Sequence, residues 1–278
     1  VDERGEPVSP SAITALVAAR EIGKRVAAGT PAGQVTIVYN VISSHAVREV
    51  IAELGALGVR TRVGHSFIKA TMAAERAVFG GEHSAHYYFE DFWYADTGML
   101  AAMHVLAALG ESTVPLSALA AAYQRYAASG EINSTVTDRE AAVSRALSWA
   151  EQQGQVEVDT LDGTTVRHGG EPMWWFNVRA SNTEPLLRLN VEASDAATMA
   201  SVRDAVLSLL RGEPLVPGSG LDPWLREIIR CPVCRAELAD SSGPAGPELR
   251  CVAAGCGLAY PVEHGIPVLL AELARRPD

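Results

Sequence analysis

Apolar positions along this chain recur at two different periods. Behind a Ser9-Pro10 start, Ile13, Leu16 and Val17 fall at helical spacing and predict a helix to about Ala28. Gly29 to Gly33 breaks it, and Val35-Thr-Ile-Val-Tyr39 follows as a short β-branched run, a buried strand by length and composition. Ser43 and Ser44 open a helix to about Leu57, Val59–Val63 alternates as a second strand, and another helix covers about Ser66 to Val78. Phe79-Gly80-Gly81 then reads as the approach to a turn, and helices are expected over Asp96–Leu109 and Leu116–Ala128. Short connections between alternating strands and helices describe α/β layers around a mostly parallel sheet.

Beyond this point the pattern changes. Gly130-Glu-Ile-Asn-Ser-Thr-Val136 reads as a hinge strand leaving the α/β unit. A helix (Asp138–Gln153), short strands at Gln155–Leu161, Met173–Arg179 and Leu186–Glu192, and a last helix (Asp195–Arg211) make a small α+β unit. Gly212 to Gly220 is a Pro/Gly linker, and a cysteine-bearing module follows. Residues 1–9 read as a strand end and turn punctuated by Gly5 and Pro7, and there is no internal repeat.

Composition narrows the function classes. The chain has 278 residues, and 23 Lys+Arg against 33 Asp+Glu give 23 − 33 = −10, which argues against a sequence-independent grip on nucleic acid. The longest apolar stretch, Met99 to Gly110, is interrupted by His104 and is too short to span a bilayer. The charged start Val1-Asp-Glu-Arg-Gly does not read as a secretory signal, so the cytoplasm is the expected compartment, with no membrane partner. The first residue is not Met, which suggests a processed, trimmed or internally started chain. Only Lys24 and Lys69 are lysines, so each retained lysine hints at chemistry that arginine does not supply.

All four cysteines lie near one end, as Cys231-Pro-Val-Cys234 and Cys251-Val-Ala-Ala-Gly-Cys256. Two pairs of this spacing suit a tetrahedral four-thiolate site, and structural zinc is the expected cofactor. Two disulfides or a redox pair are the alternatives; a cytoplasmic setting disfavours the first, and a redox motif leaves the second pair unexplained. Four protein ligands leave no open position, so such an ion holds the fold and does no catalysis.

Three loops carry possible sugar-phosphate chemistry. Gly64-His-Ser-Phe-Ile-Lys69 follows a strand and opens a helix. Gly81-Glu-His-Ser-Ala-His86 offers a carboxylate and a hydroxyl two residues apart, suited to vicinal sugar hydroxyls, and His86 suits proton transfer near neutral pH. Arg179-Ala-Ser-Asn-Thr-Glu-Pro185 places a guanidinium fork, hydroxyls, an amide and backbone N–H groups in one turn, a phosphate cradle or simply a polar hairpin satisfying its own backbone.

In this order the three loops resemble the domain 3 and domain 4 motifs of the phosphomannomutase/phosphoglucomutase family of α-D-phosphohexomutases. Gly130-Glu-Ile-Asn-Ser-Thr-Val resembles the family's hinge. The resemblance implies a fold of domain 3 (α/β layers) and domain 4 (α+β), interconversion of hexose 6- and 1-phosphates, and mannose or glucose phosphate as partner. Carried over by residue, Glu82 and Ser84 hold the sugar hydroxyls. Lys69 and His86 serve the reacting hydroxyl as charge stabiliser and general acid/base. Arg179, Ser181, Asn182 and Thr183 anchor the non-reacting phosphate, and His65 orients its loop. The second loop departs from the family at His83, usually Met, and at Ala85, usually Gly, where a methyl crowds backbone that approaches the sugar. The family's phosphoserine and Asp-rich Mg²⁺ loops have no counterpart here, and Val1 to Pro7 resembles the strand-turn just after that metal loop. Ser43-Ser44-His45 matches the start of a helix instead. The expectation is a mutase portion inactive alone.

Leu221 to Cys234 and Cys256 to Leu270, with Tyr260-Pro and Gly265-Ile-Pro-Val-Leu-Leu270, resemble the zinc-ribbon family of methyltransferase activators. That implies a second possibility, a non-catalytic regulatory protein whose ribbon stabilises a methyltransferase partner. Ile266, Val268 and Leu269 are either a partner surface or core, and core is favoured. The expected units are 1–29 (a remnant of mutase domain 2), 30–130, 131–212, a linker at 213–222, and the ribbon at 223–278.

Overall fold

The structure, a computed structural model, describes residues 1–181, 186–212, 225, 228–243, 246–263 and 266–276. The expected linker at 213–222, together with Asn182 and Thr183, lies outside these residues.

The first unit begins with helix α1 (Pro10–Ala27) and strand β1 (Thr36–Asn40). Helix α2 (His45–Glu53), strand β2 (Leu57–Thr61), helix α3 (His65–Glu75) and strand β3 (Phe79–Gly81) follow. The unit closes with strands β4 (Tyr87–Phe89) and β5 (Ala95–Asp96) and helices α4 (Gly98–Gly110) and α5 (Leu116–Ala121). The sheet runs β2-β1-β3-β4-β5. β1 pairs in parallel with β2 and β3, while β4 and β5 join antiparallel. Every residue of β1 is buried, as expected for a parallel strand covered on both faces. Ile37, Tyr39 and Phe79 pack into one apolar cluster with α1 and α2, whereas Val38 meets Ile68 and Met72 of α3 on the other face. α1, which the expected boundary at residue 29 sets apart, therefore contributes Ala15, Leu16, Val17, Ala18 and Ile22 to the core of this unit.

Two local features of this unit have plain causes. Gly80 and Gly81, the expected approach to a turn, form the end of strand β3. A Cβ on Gly80 would lie 2.5 Å from Met72 Sδ, and one on Gly81 would lie 2.4 Å from Thr14 Cγ2, so glycine lets α3 and α1 close on the two faces of β3. α5 stops at Ala121, short of Ala128, and Arg125 and Tyr126 turn to bond Glu49 and Glu53 of α2.

The second unit comprises β6 (Ala127–Thr135), α6 (Arg139–Gln152), β7 (Val156–Asp159), β8 (Thr164–His168), β9 (Trp174–Ala180), β10 (Leu186–Ala193) and α7 (Ala196–Arg211). Its antiparallel sheet runs β6-β10-β9-β8-β7, and β8 is a strand the sequence pattern does not signal. Alternation sorts the two faces. Trp174, Phe176, Val178, Leu187, Leu189 and Val191 join Ala142, Ala146, Val202 and Val206 of α6 and α7 in one core. Trp175, Arg179, Arg188, Asn190 and Glu192, at the intervening positions, belong to the opposite face.

That face meets the first unit. Glu192 accepts from Ser44 Oγ at 2.8 Å, Asp162 Oδ2 accepts the Val63 amide at 2.9 Å, and Arg60 pairs with Asp159. The last sheet, β11 (Leu238–Gly243), β12 (Gly246–Cys251), β13 (Ala259–Glu263) and β14 (Ile266–Pro267), is an antiparallel meander. Its core contains Leu238, Leu249, Tyr260 and Val262. Leu269 packs against that core, but Ile266 is 68% exposed, against the expectation that it is core. No helix among the described residues is long and apolar enough to cross a membrane.

Candidate functional site

In an open sheet with parallel strands, the crevice beyond their carboxyl ends is the usual place for a ligand. Here it collects Asn40 at the end of β1, Gly64 after β2 and Glu82 just after β3. Glu82 is 1% exposed. Its Oε1 accepts the Gly64 amide at 3.0 Å and the Asn40 side-chain amide at 3.4 Å, and its Oε2 accepts the Tyr88 hydroxyl at 2.7 Å. Gly64 has φ +129°, a conformation that suits glycine and aims its N–H at that carboxyl.

Tyr88 carries the network outward. Its hydroxyl also lies 2.7 Å from His65 Nδ1. The single hydroxyl proton goes to Glu82, so the network assigns the ring proton to His65 Nδ1 and leaves a free lone pair on Nε2. Burial and the Glu82 hydrogen bond push the Tyr88 hydroxyl well above the ordinary phenol range, which keeps it a donor. The His65 and His86 rings meet edge to face with centroids 4.3 Å apart. His86 Nδ1 lies 2.9 Å from Ser84 Oγ and 4.0 Å from Glu82 Oε2, and its Nε2 is 4.0 Å from Asp96 Oδ2.

Glu82, Ser84, His86 and His65 thus form one group. Ser84 and His65 are exposed and His86 is partly so, while the Glu82 carboxyl is the floor beneath them. Lys69 is exposed on α3, four residues after His65 and so on the same side of the helix. His83 turns inward instead, its Nδ1 3.0 Å from Ser11 Oγ, and burial lowers its pKa. Ala85 adopts φ +65°, the left-handed region that favours glycine.

The third loop is anchored by two arginines, one of which the motif does not include. Arg179 and Arg188 stand directly opposite each other in the β9–β10 register. Like charges so placed repel unless an anion lies between them. Glu131 of β6 does so, accepting from Arg179 at 2.8 Å and from Arg188 at 3.1 Å. Arg188 also reaches Ser181 Oγ at 3.4 Å, and Ser181 is buried. The charge of Glu131 acts on His83, which links this anion site to the second loop. Asn182 and Thr183 complete the motif outside the described residues.

Cys231, Cys234, Cys251 and Cys256 are free thiols whose sulfur atoms all lie within 4.8 Å of one another. Sγ separations of 3.3 Å (Cys234–Cys251) and 3.7 Å (Cys231–Cys256) approach the edge of about 3.8 Å expected for four bonds of about 2.3 Å around one ion. Tyr260 Oη, 3.2 Å from Cys231 Sγ, supplies an outer hydrogen bond.

Known proteins are similar to this chain over its first two units. Residues 10–126 match the model of the phosphoglucomutase/phosphomannomutase alpha/beta/alpha domain III, and residues 131–209 match that of the phosphoglucomutase/phosphomannomutase C-terminal domain. A Xanthomonas campestris protein named for phosphohexose mutases is 43% identical over 166 residues, 59% of this chain and 36% of the relative. A phosphomannomutase of Methanocaldococcus jannaschii is 36% identical over 210 residues, 76% of this chain and 44% of the relative. A phosphoglucomutase/phosphomannomutase family protein of Burkholderia thailandensis superposes with a TM-score of 0.61 at 26% identity, covering 74% of this chain and 42% of that one. The chain therefore spans less than half the length of these relatives.

Proposed function

Because this chain carries domains III and IV of the phosphoglucomutase/phosphomannomutase family, we propose that it binds a hexose phosphate and supplies the sugar and phosphate grip of a phosphohexomutase. The observation that carries the reading is the facing pair Arg179 and Arg188, held apart by one carboxylate that a phosphate can replace. Ser181, beside Arg188, adds a hydroxyl, and the motif assigns Asn182 and Thr183 to the same phosphate. This pair anchors the phosphate that does not react.

The sugar lies over the second loop. Ser84 meets its hydroxyls directly, and Glu82 reaches them by exchanging one of its present donors, so the pair selects the orientation. His86 Nδ1, now on Ser84 Oγ, moves the proton of the reacting hydroxyl. The Lys69 ammonium offsets charge on the phosphoryl oxygens. No residue described here is assigned to the family's Mg²⁺. Zinc on the four cysteines holds the last module together and takes no part in transfer.

Isothermal titration with glucose 6-phosphate and mannose 6-phosphate tests the grip. Binding is expected for the phosphates and not for the free sugars, and Arg179→Ala with Arg188→Ala weakens it at least tenfold. Equal binding by the native and doubly substituted chains would overturn the reading.

A second reading rests on the last module, where Ile228, Val233, Val252, Ile266 and Leu273 are exposed. Such a surface suits an apolar partner, and the ribbon resemblance makes that partner a methyltransferase. Retention of a methyltransferase on the immobilised native chain, lost in Ile266→Glu, supports it; equal retention by both removes it.

A further inference from the structure

His65, Glu82 and His86 each offer one ligand atom, and the three atoms lie within 4.8 Å of one another. We propose that they hold one divalent transition-metal ion of the zinc or cobalt class, at a site separate from the four cysteines. Two imidazoles and a carboxylate form the donor set of zinc sites that keep an open coordination position. Imidazole nitrogen favours zinc, cobalt, nickel or copper over magnesium, so this site differs in chemistry from the family's Mg²⁺ loop.

The surroundings prepare each ligand. The Tyr88 hydroxyl fixes the His65 tautomer, leaving Nε2 as the free donor. Gly64 and Asn40 occupy Glu82 Oε1, while Oε2 takes one hydrogen bond and keeps a lone pair for an ion. His86 points Nε2 towards Asp96 and Nδ1 towards Glu82, an arrangement in which a carboxylate backs a ligating histidine. The 4.0 Å between His86 Nδ1 and Glu82 Oε2 must close to roughly 3.3–3.5 Å, the tetrahedral edge for bonds of about 2.0–2.1 Å. Release of the Ser84 hydroxyl and a turn of the partly exposed His86 ring supply that movement. Exposed His65 leaves the outer side open to water or an anion.

One consequence rests on the hexose-phosphate reading: ion and sugar use the same side chains and exclude each other. The site itself does not depend on that reading.

The full chain, its cysteines first loaded with one equivalent of Zn²⁺, is titrated with Co²⁺ while bound metal and visible absorption are measured. A second equivalent is expected, with ligand-field absorption and no new thiolate charge-transfer band. His65→Gln and His86→Ala should each abolish it while keeping the first equivalent and the native circular dichroism. Tyr88→Phe should weaken it about 10–100-fold. A single equivalent, or a second one that survives both histidine substitutions, overturns the site. Glucose 6-phosphate should displace the cobalt; cobalt bound by the histidines but undisturbed by the sugar phosphate counts against the hexose reading alone.

Discussion

Replacing Glu192 by Gln asks what holds the first two units together and how that hold depends on pH. The Glu192 carboxyl is 2% exposed. It accepts from Ser44 Oγ at 2.8 Å and lies 3.2 and 3.3 Å from the His45 amide, with a further hydrogen bond from the Trp175 side chain. It therefore sits at the N-terminus of α2, where unpaired N–H groups need an acceptor, although it comes from strand β10 of the other unit. Burial raises its pKa first, the charge of Glu49 adds to the rise, and the hydrogen bonds only partly offset them, so the carboxyl is pushed up to about 7 from 4.5. His45, whose own pKa burial lowers, and Tyr126, bonded to Glu49, are the other titratable groups there.

The folded chain thus holds this proton more tightly than the unfolded chain does. The contribution is fully present below about pH 4.5 and is lost as pH rises through about 7. At about 1.36 kcal/mol per pH unit, the interval sets a loss of about 3 kcal/mol. Urea unfolding of the native and Glu192→Gln chains at pH 5 and pH 8, followed by tryptophan fluorescence, measures it. The informative quantity is the difference between the chains, because carboxyls held low, such as Glu21 beside His104, tilt both in the opposite direction. The two chains should be close at pH 5, and at pH 8 the variant should be the more stable by up to about 3 kcal/mol. A difference that does not change with pH, or a native chain that gains on the variant as pH rises, would refute the reasoning.

Ala85→Gly should raise stability by about 0.5–1 kcal/mol, since relief of a left-handed alanine outweighs the added freedom of the unfolded chain; an unchanged or lower urea midpoint speaks against that strain. Glu131→Gln should tighten inorganic phosphate several-fold by vacating the Arg179–Arg188 pair, an effect limited by its partial exposure, and calorimetry showing weaker binding would count against the anion exchange. Stripping metal with a chelator should speed amide exchange in β11–β14 while leaving α1–α7 protected, and equal protection with and without metal would remove the structural role of the four cysteines.

Much of the fold was legible because period and length carried it. The apolar run at β1, the Ser9-Pro10 start of α1 and the alternation through β10 all describe elements that the structure contains. What escaped was local grammar overridden by packing. Two successive glycines in β3 allow Thr14 and Met72 to press on its two faces, a packing role that local pattern does not reveal. The end of α5 depends on Arg125 and Tyr126 finding α2 about 70 residues earlier, contacts that no local pattern encodes.

The candidate site divides in the same way. Glu82, Ser84 and His86 share a six-residue loop, so their grouping follows from chain order. Tyr88 looks in sequence like one more aromatic in the β4 strand, and only the direction of its hydroxyl shows that it ties Glu82 to His65. Arg188 carries a readable signal. In Leu187-Arg-Leu-Asn-Val-Glu-Ala193 the polar residues occupy alternate positions, so Arg188 must share a face with Glu192. Register then sets it opposite Arg179, and two cations opposed in a ladder require an anion. Glu131 meets that requirement within the chain, so the positive charge of the pair is already balanced before any ligand arrives. A phosphate must therefore displace a carboxylate to enter, which makes the strength of Glu131's hold, as much as the number of arginines, the quantity that sets affinity.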